Sequence, residues 1–307
     1  MGPDNRAGAR MESESGVVWL EPGLRRLTAP NPSPMTFRGT NTYIVGTGEV
    51  AVIDPGPDHA GHMDAILGAL TPGERIGAIL VTHSHRDHSP LARRLSQQTG
   101  APVLAAGPSD WGRSAVMAAL AASTGIGGGE GVDRDFVPDA RIAEGDIVAG
   151  DWGEIAALET PGHMANHLSF AWKGAVFTGD LVMGWSTSLV SPPDGDMGAF
   201  MASCRKLARR EDRVFHPGHG DPVTAPRSRL ADLIAHREAR EAQILNALST
   251  TAPTTASAIA LQIYTNIPAN LLPAAERNVL AHLIDLEGRN LVVATAQIGV
   301  AAPFLRR

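Results

Sequence analysis

The sequence predicts an α/β protein in which two mixed β-sheets pack face to face with helices outside both, followed by a small helical module. Three observations carry that prediction. Short apolar runs alternate with helix-length segments through the front of the chain, clusters of histidine and aspartate stand where such runs end, and beyond Pro226 the apolar spacing turns helical.

Asn41 to Val45 and Val50 to Ile53, joined through Gly46-Thr47-Gly48, read as a hairpin. His59 to Leu70 is helical and Ile76 to Val81 is a buried strand. Pro90 to Thr99 is a helix opened by proline, whose missing N–H costs nothing in a first turn. Pro108 to Ala122 is alanine-rich and helical, and Gly125 to Gly131, with five glycines in seven residues, reads as a flexible loop. Arg141 to Val148 and Glu154 to Leu158 are strands. Leu168 to Trp172 and Ala175 to Phe177 form a second hairpin about Lys173-Gly174, followed by a helix over Gly198 to Ala208 and a short strand over Arg213 to Phe215. Such strands bury one face on the other sheet and one on helices.

Past Pro226 the residues Leu230, Leu233, Ile234, Ile244, Leu245 and Leu248 fall largely at helical spacing until Thr251-Ala252-Pro253 breaks the run. Ser257 to Tyr264 and Ala274 to Glu287 are further helices, the second stopped by Gly288, and Leu291 to Ala294 is strand-like, which together describe a winged-helix-like module. The division is therefore a tail over 1–16, a front domain over 17–225 and a C-terminal module over 226–307. Arg277, Asn278 and His282 are what that module would offer a nucleic acid. Because its basic residues are not clustered, the preferred expectation is a cap that packs on the front domain and shapes its cleft.

Composition limits the partners. With 43% apolar and 19% charged residues in 307, the chain can bury a sizeable core. The one cysteine, Cys204, excludes an internal disulfide framework and fits a reducing compartment. Met1 to Ser15 is polar with no apolar core of a signal peptide, and no apolar run approaches the roughly 18 residues of a membrane span, so a cytoplasmic protein without a membrane partner is expected. The net charge is −6, and even the stretch from Val223 holds only eight arginines against six acidic residues. Tight RNA binding is not written in that balance, although a phosphodiester could still be held at a metal.

The most informative segment is His83-Ser84-His85-Arg86-Asp87-His88, four potential ligands in six residues directly after the strand ending at Val81. Two histidines two residues apart can aim at one ion while Asp87 and His88, where the chain turns, face a second. Imidazole and carboxylate suit zinc or iron better than calcium or magnesium. Matching residues follow: Thr160-Pro161-Gly162-His163, Thr178-Gly179-Asp180 and His216-Pro217-Gly218-His219-Gly220, each after a strand. Strand ends converge on one edge of a layered α/β domain, so these residues can meet in one cleft.

With its HxHxDH signature at His83, His85, Asp87 and His88, the chain resembles the metallo-β-lactamase superfamily and its αββα sandwich. That resemblance implies that His83, His85 and His163 bind one metal, that Asp87, His88 and His219 bind another, and that Asp180 bridges both. Lactamases of the superfamily commonly place a cysteine where this chain has Asp180, which points instead to the glyoxalase II, ribonuclease Z and related hydrolase branches. Gly39-Thr40-Asn41-Thr42-Tyr43, Met183-Gly184-Trp185-Ser186-Thr187, Pro217-Gly218-His219-Gly220 and His236-Arg237-Glu238-Ala239-Arg240-Glu241 resemble the bacterial relatives of β-lactamase-like protein two. This endoribonuclease branch also has thioesterase relatives, and the likeness runs over roughly residues 17 to 300.

The expected cofactors are two divalent ions, zinc first, with iron or manganese as alternatives. Held roughly 3.5 to 4 Å apart, they lower the pKa of a bridging water toward about 7. Asp180 can reach both ions, and Asp87 can also hold the nucleophile and later protonate a leaving group, so these two are the catalytic candidates. The expected reaction is attack of that hydroxide on an ester-type substrate, with a single-stranded RNA phosphodiester among the candidates. A glyoxalase II-like thioesterase or lactonase acting on a small-molecule ester or thioester is the enzymatic alternative. A metal-stabilised nucleic-acid-binding protein is the non-enzymatic one, and the complete ligand set argues against it. Asp54, before Pro55-Gly56, is a candidate to orient a ligand histidine. In the implied fold Arg38, Asn41 and Trp185 flank the metal mouth and are candidate substrate contacts. His216 reads as a buried, hydrogen-bonded histidine, His167 as an ordinary turn residue more than a polar site residue, and His59, His62, His236 and His282 as helix residues with surface or packing roles.

Overall fold

The computed structural model describes residues 16–307 apart from Thr124 and Glu130, so the expected tail lies outside the described residues except for Gly16. A seven-stranded sheet runs in chain order: β1 (Val18–Glu21), β2 (Leu24–Thr28), β3 (Asn41–Thr47), β4 (Glu49–Ile53), β5 (Arg75–Leu80), β6 (Val103–Ala105) and β7 (Ala140–Arg141). It is antiparallel up to β4 and parallel from there. The second sheet has the order β12-β11-β10-β9-β8, from β8 (Ile147–Gly150), β9 (Gly153–Glu159), β10 (Leu168–Trp172), β11 (Ala175–Gly179) and β12 (Val214–Pro217), with only β11 and β12 parallel.

Strand alternation builds the layers. In β4, Val50 and Val52 pack beneath α1 (Ala60–Gly68) and α2 (Leu91–Thr99), whereas Ala51 and Ile53 meet Trp152, Phe170 and Phe177 of the facing sheet. On the far side Val176 packs against α4 (Met197–Ala208) and the first half of α5 (Pro226–Ala247). The order helix, sheet, sheet, helix is the architecture expected from the sequence.

Several elements differ from expectation. The helix foreseen from Pro108 is only α3 (Ala115–Ala122), capped by the Ser114 hydroxyl accepting from Met117 N–H. Before that cap the chain passes through Gly112 at a left-handed φ of +80°, where a Cβ would lie 2.8 Å from the Ala165 carbonyl oxygen. The strand foreseen over Arg141 to Val148 is broken: β7 ends the first sheet, and a turn in which Asp146 Oδ2 accepts the Ala143 N–H (2.8 Å) carries the chain to β8 in the second. The glycine loop is tethered, with Gly129 N–H donating to Asp194 (2.8 Å) and Val300 N–H to the Gly125 carbonyl (3.1 Å). Strands β1 and β2 lay outside the sequence reading. In β2 the fully buried Arg25 is neutralised by Glu74 at 2.7 Å, so a core strand carries a charge that periodicity counts as surface.

The second half of α5 contributes Ile244 to another core, shared with α6 (Ala256–Ile263), α7 (Leu272–Gly288) and Met117 and Leu120 of α3. A small sheet of β13 (Thr254–Thr255), β14 (Val292–Ala294) and β15 (Pro303–Arg306), in the order β13-β15-β14, completes this winged-helix unit. No helix among the described residues is long and apolar enough to cross a membrane.

Candidate metal centre

Every candidate ligand sits just beyond a strand. The His83–His88 segment follows β5, His163 follows β9, Asp180 follows β11 and His219 leaves β12. The two central sheet edges therefore deliver them to one place. His85 Nδ1 lies 3.0 Å from His83 Nε2 and 3.0 Å from His163 Nε2. Beside this trio, Asp87 Oδ2 lies 3.4 Å from His88 Nε2 and 3.2 Å from His219 Nε2. Asp180 spans the two groups, with Oδ1 3.5 Å from His88 Nε2, and Oδ2 3.3 Å from His219 Nε2 and 3.7 Å from His163 Nε2. Within each group the donor atoms all lie within 4.8 Å of one another.

These contacts are unlike those of a satisfied polar core. His88 Nε2 and Asp180 Oδ1 are buried with no hydrogen-bond partner among the described residues, although buried polar atoms are nearly always paired. Gly218 is bare for the same reason, since a Cβ there would lie 2.5 Å from Asp180 Oδ1 and 2.6 Å from His88 Cε1. Converging imidazole nitrogens and carboxylate oxygens fit borderline divalent cations. Burial keeps His83 and His163 below the usual histidine range and brings His85 down to about 3, so this trio is neutral and able to ligate. Burial also opposes charge on His88 and His219, but the nearby carboxylates win, holding His88 well above its ordinary value and His219 at about 9. Asp87 and Asp180 work against burial in the same way and are held well below the carboxylate range by His88 and His219. The second group is thus a set of anions facing imidazoles, and a cation would take the place of the imidazole protons.

The ring nitrogens turned away from the cluster are held by fixed acceptors. Asp54 Oδ2 lies 3.0 Å from His88 Nδ1 and accepts the Thr82 hydroxyl at 2.8 Å, and Thr82 Oγ1 lies 2.9 Å from His83 Nδ1. His163 Nδ1 donates to the Leu189 carbonyl (2.7 Å) and His219 Nδ1 to the Gly39 carbonyl (3.1 Å). Each leaves Nε2 free to face an ion. His167 belongs to this scaffold, the less favoured of its two sequence readings: its Nε2 accepts the Asp180 backbone N–H (3.3 Å) while Nδ1 meets Thr160 Oγ1 (3.0 Å). Its spacing in sequence carried no such signal, because the partner is a backbone group thirteen residues on.

The three candidate substrate contacts separate. Trp185 lines a cleft of about 560 Å³ that opens on His85, Asp87, His163, Asp180 and His219. Asn41 is only 2% exposed and instead fastens the His219 turn, donating to the carbonyls of Pro217 (3.0 Å) and Gly220 (2.8 Å). Arg38 lies in an adjacent groove, paired with Asp221 at 2.6 Å, while its neighbour Phe37 stacks on Trp185. The far wall of the cleft comes from the winged-helix unit: Tyr264, Ile267, Leu271, Ala274, Ala275 and Asn278.

That unit turns inward the groups considered for nucleic acid. Arg277 donates to Ser191 Oγ (2.9 Å), Asn278 accepts the Val190 N–H (3.1 Å), and His282 is 1% exposed. His216 is buried between Tyr43 and Phe177, but neither ring nitrogen finds a hydrogen-bond partner among the described residues, and burial keeps the ring neutral at a pKa of about 3. His62 meets Thr42 Oγ1 at 2.8 Å, and His59 caps α1 by accepting the His62 N–H (3.1 Å).

Residues 35–219 match the family described as the metallo-beta-lactamase superfamily, and residues 255–299 match the beta-lactamase associated winged helix domain. The chain belongs to the metallo-β-lactamase superfamily. A beta-lactamase-like protein 2 homolog of Drosophila melanogaster is 29% identical over 285 residues, covering 88% of this chain and 90% of that protein. An atrochrysone carboxyl ACP thioesterase of Aspergillus fumigatus is 30% identical over 237 residues, covering 75% and 66% respectively. Among solved structures, a metallo-beta-lactamase family protein of Thermus thermophilus is 25% identical with a TM-score of 0.73, covering 94% of this chain and all of that one. The protein is thus a metallo-β-lactamase-fold hydrolase with a candidate metal-binding His/Asp cluster and an appended winged helix.

Proposed function

We propose that the protein is a dinuclear metal-dependent hydrolase of esters or thioesters bearing an apolar acyl group. The observation that carries this reading is the cleft over the ligand cluster. Its described lining includes Met35, Met183, Trp185, Leu189, Ile267 and Leu271, and contains no lysine or arginine. A phosphodiester chain would ask for cations along its path, whereas an acyl chain asks for apolar wall. The likeness to a protein named as a thioesterase supports the same choice.

His83, His85 and His163 would hold one cation, Asp87, His88 and His219 a second, with Asp180 reaching both. Bound there, divalent cations would acidify water to a pKa of about 7 and polarise the scissile carbonyl. Asp87, whose side chain is 26% exposed toward the cleft, is ionised and takes the proton of the attacking water. It then returns that proton to the departing sulfur or oxygen as the acyl bond breaks, leaving a carboxylate and a thiol or alcohol. Asp180, oriented by its own N–H on His167, fixes the spacing of the two ligand groups.

Elemental analysis of protein purified without added metal, followed by a panel of acyl thioesters, acyl esters and single-stranded RNA, tests this reading. Two divalent ions per chain and metal-dependent turnover of longer acyl thioesters are expected. RNA cleavage with acyl substrates untouched, or full turnover after chelation, overturns it.

A further inference from the structure

The winged-helix unit does more than wall the cleft. Leu189 C=O and Val190 N–H belong to one planar peptide, so anything that fixes one end orients the other. The carbonyl end accepts from His163 Nδ1 at 2.7 Å, and the N–H end donates to Asn278 Oδ1 of α7 at 3.1 Å. Asn278 Oδ1 also accepts from Arg237 Nη1 of α5 (3.2 Å), while Arg237 Nη2 donates to the Ser188 carbonyl, one residue before Leu189.

Arg237 is 2% exposed, lies over the Phe200 ring at 5.0 Å, and has no carboxylate partner among the described residues. A buried guanidinium without a counter-ion is costly, and its directed bonds here are to a backbone carbonyl and an amide oxygen that both hold the same strip of chain. From the other side Ser188 Oγ donates to the carbonyls of Asp180 and Leu181. The strip Ser188–Val190 is therefore gripped between the ligand cluster and helices α5 and α7.

We propose that Asn278, braced by Arg237, is a positioning residue for the metal centre: through the Leu189–Val190 peptide it sets the tautomer and ring orientation of His163. This rests on the dinuclear reading above. The aligned dipoles of the amide, the peptide and the imidazole polarise one another, strengthening Nε2 as a donor. Since His163 serves only the trio with His83 and His85, the effect falls on one ion of the two.

Cobalt(II) titration of the metal-free protein, read by absorption and by bound stoichiometry, tests this. Wild type is expected to bind two ions. Asn278→Ala weakens one of them by roughly tenfold or more and leaves the other unchanged, in the range typical when a partner behind a ligand histidine is lost. Asn278→Asp, which keeps an oxygen for Val190 N–H and Arg237, stays near wild type, and Arg237→Gln behaves like Asn278→Ala. Phe304→Leu, a change confined to the winged-helix core, lowers thermal stability without selective loss of an ion. Two-ion binding at wild-type affinity by Asn278→Ala overturns the inference, as does the same selective loss in Phe304→Leu. A wild-type protein that binds no cobalt overturns the dinuclear reading itself, and this inference with it.

Discussion

Asp54 and His88 form a buried pair, Oδ2 to Nδ1 at 3.0 Å, in which the aspartate stands at a left-handed φ of +50° directly after β4. The same carboxylate accepts the Thr82 N–H at 2.7 Å and the Thr82 hydroxyl at 2.8 Å, so one residue braces the ligand-bearing segment and two of its histidines. Asp54→Asn separates these roles, because asparagine tolerates the backbone angle but places an NH2 against a donor. We expect a folded protein with metal affinity and turnover lowered about 10- to 100-fold. Circular dichroism alongside metal titration checks this, and wild-type affinity in Asp54→Asn would refute the bracing role.

His167 supports Asp180 from beneath. Removing the ring in His167→Ala leaves the buried Asp180 N–H without an acceptor, at a cost of about 1 to 3 kcal/mol in stability. Turnover falls with it, because the carboxylate shared by both ligand groups loses its fixed backbone. Denaturant unfolding of the metal-free protein measures the first effect, and kcat of the metal-replete protein the second. An unchanged midpoint and unchanged kcat would show that His167 merely fills space.

What was legible in the sequence were side chains whose chemistry is rare in combination. The segment from His83 to His88, with His163, Asp180 and His219 after later strands, could be read because each motif closes a short apolar run. What was not legible depends on backbone partners. Asn41 looked like a cleft residue beside Arg38, but its amide holds the Pro217 and Gly220 carbonyls. His167 and Asn278 act on peptide groups that periodicity does not register. The same limit hid β2, where Arg25 is buried by virtue of Glu74, forty-nine residues away. The two halves of α5 divide between cores for a related reason: a long helix shows its spacing in sequence but not which layer covers each turn.

Histidines buried as neutral rings predict an acid-sensitive fold. His282 lies on α7 away from the ligand cluster, with both ring nitrogens unpartnered among the described residues, and burial followed by the repulsion of Arg237 and Arg240 lowers its pKa from 6.5 to about 3. Below pH 6.5 the unfolded chain takes up a proton that the folded chain refuses until pH approaches 3, so stability declines as pH falls through that window and is flat above it. The group's share is at most about 1.4 kcal/mol per pH unit. His282→Gln is expected to flatten the pH dependence of the metal-free protein by up to one proton between pH 6.5 and 5. Urea midpoints at several pH values measure this, and parallel curves for the two proteins would contradict it.

For the proposed acyl substrates, the winged-helix wall predicts a dependence on chain length. Leu271 lies at the end of a short 3-10 turn, Ala269–Leu271, and faces the cleft with Tyr264 and Ile267 opposite Met35 and Trp185. An acyl tail long enough to reach it gains on the order of 1.5 to 3 kcal/mol from covering such a side chain. Because that contact is the same in the ground and transition states, losing it raises KM and leaves kcat in place. Leu271→Ala should therefore lower kcat/KM for a long-chain thioester by about tenfold. The acetyl thioester, which ends near the metal ligands, should be unaffected. A uniform loss across chain lengths would instead mean that the substitution disturbs the ligand cluster, and equal turnover of all lengths by the wild type would remove the acyl wall from the reading altogether.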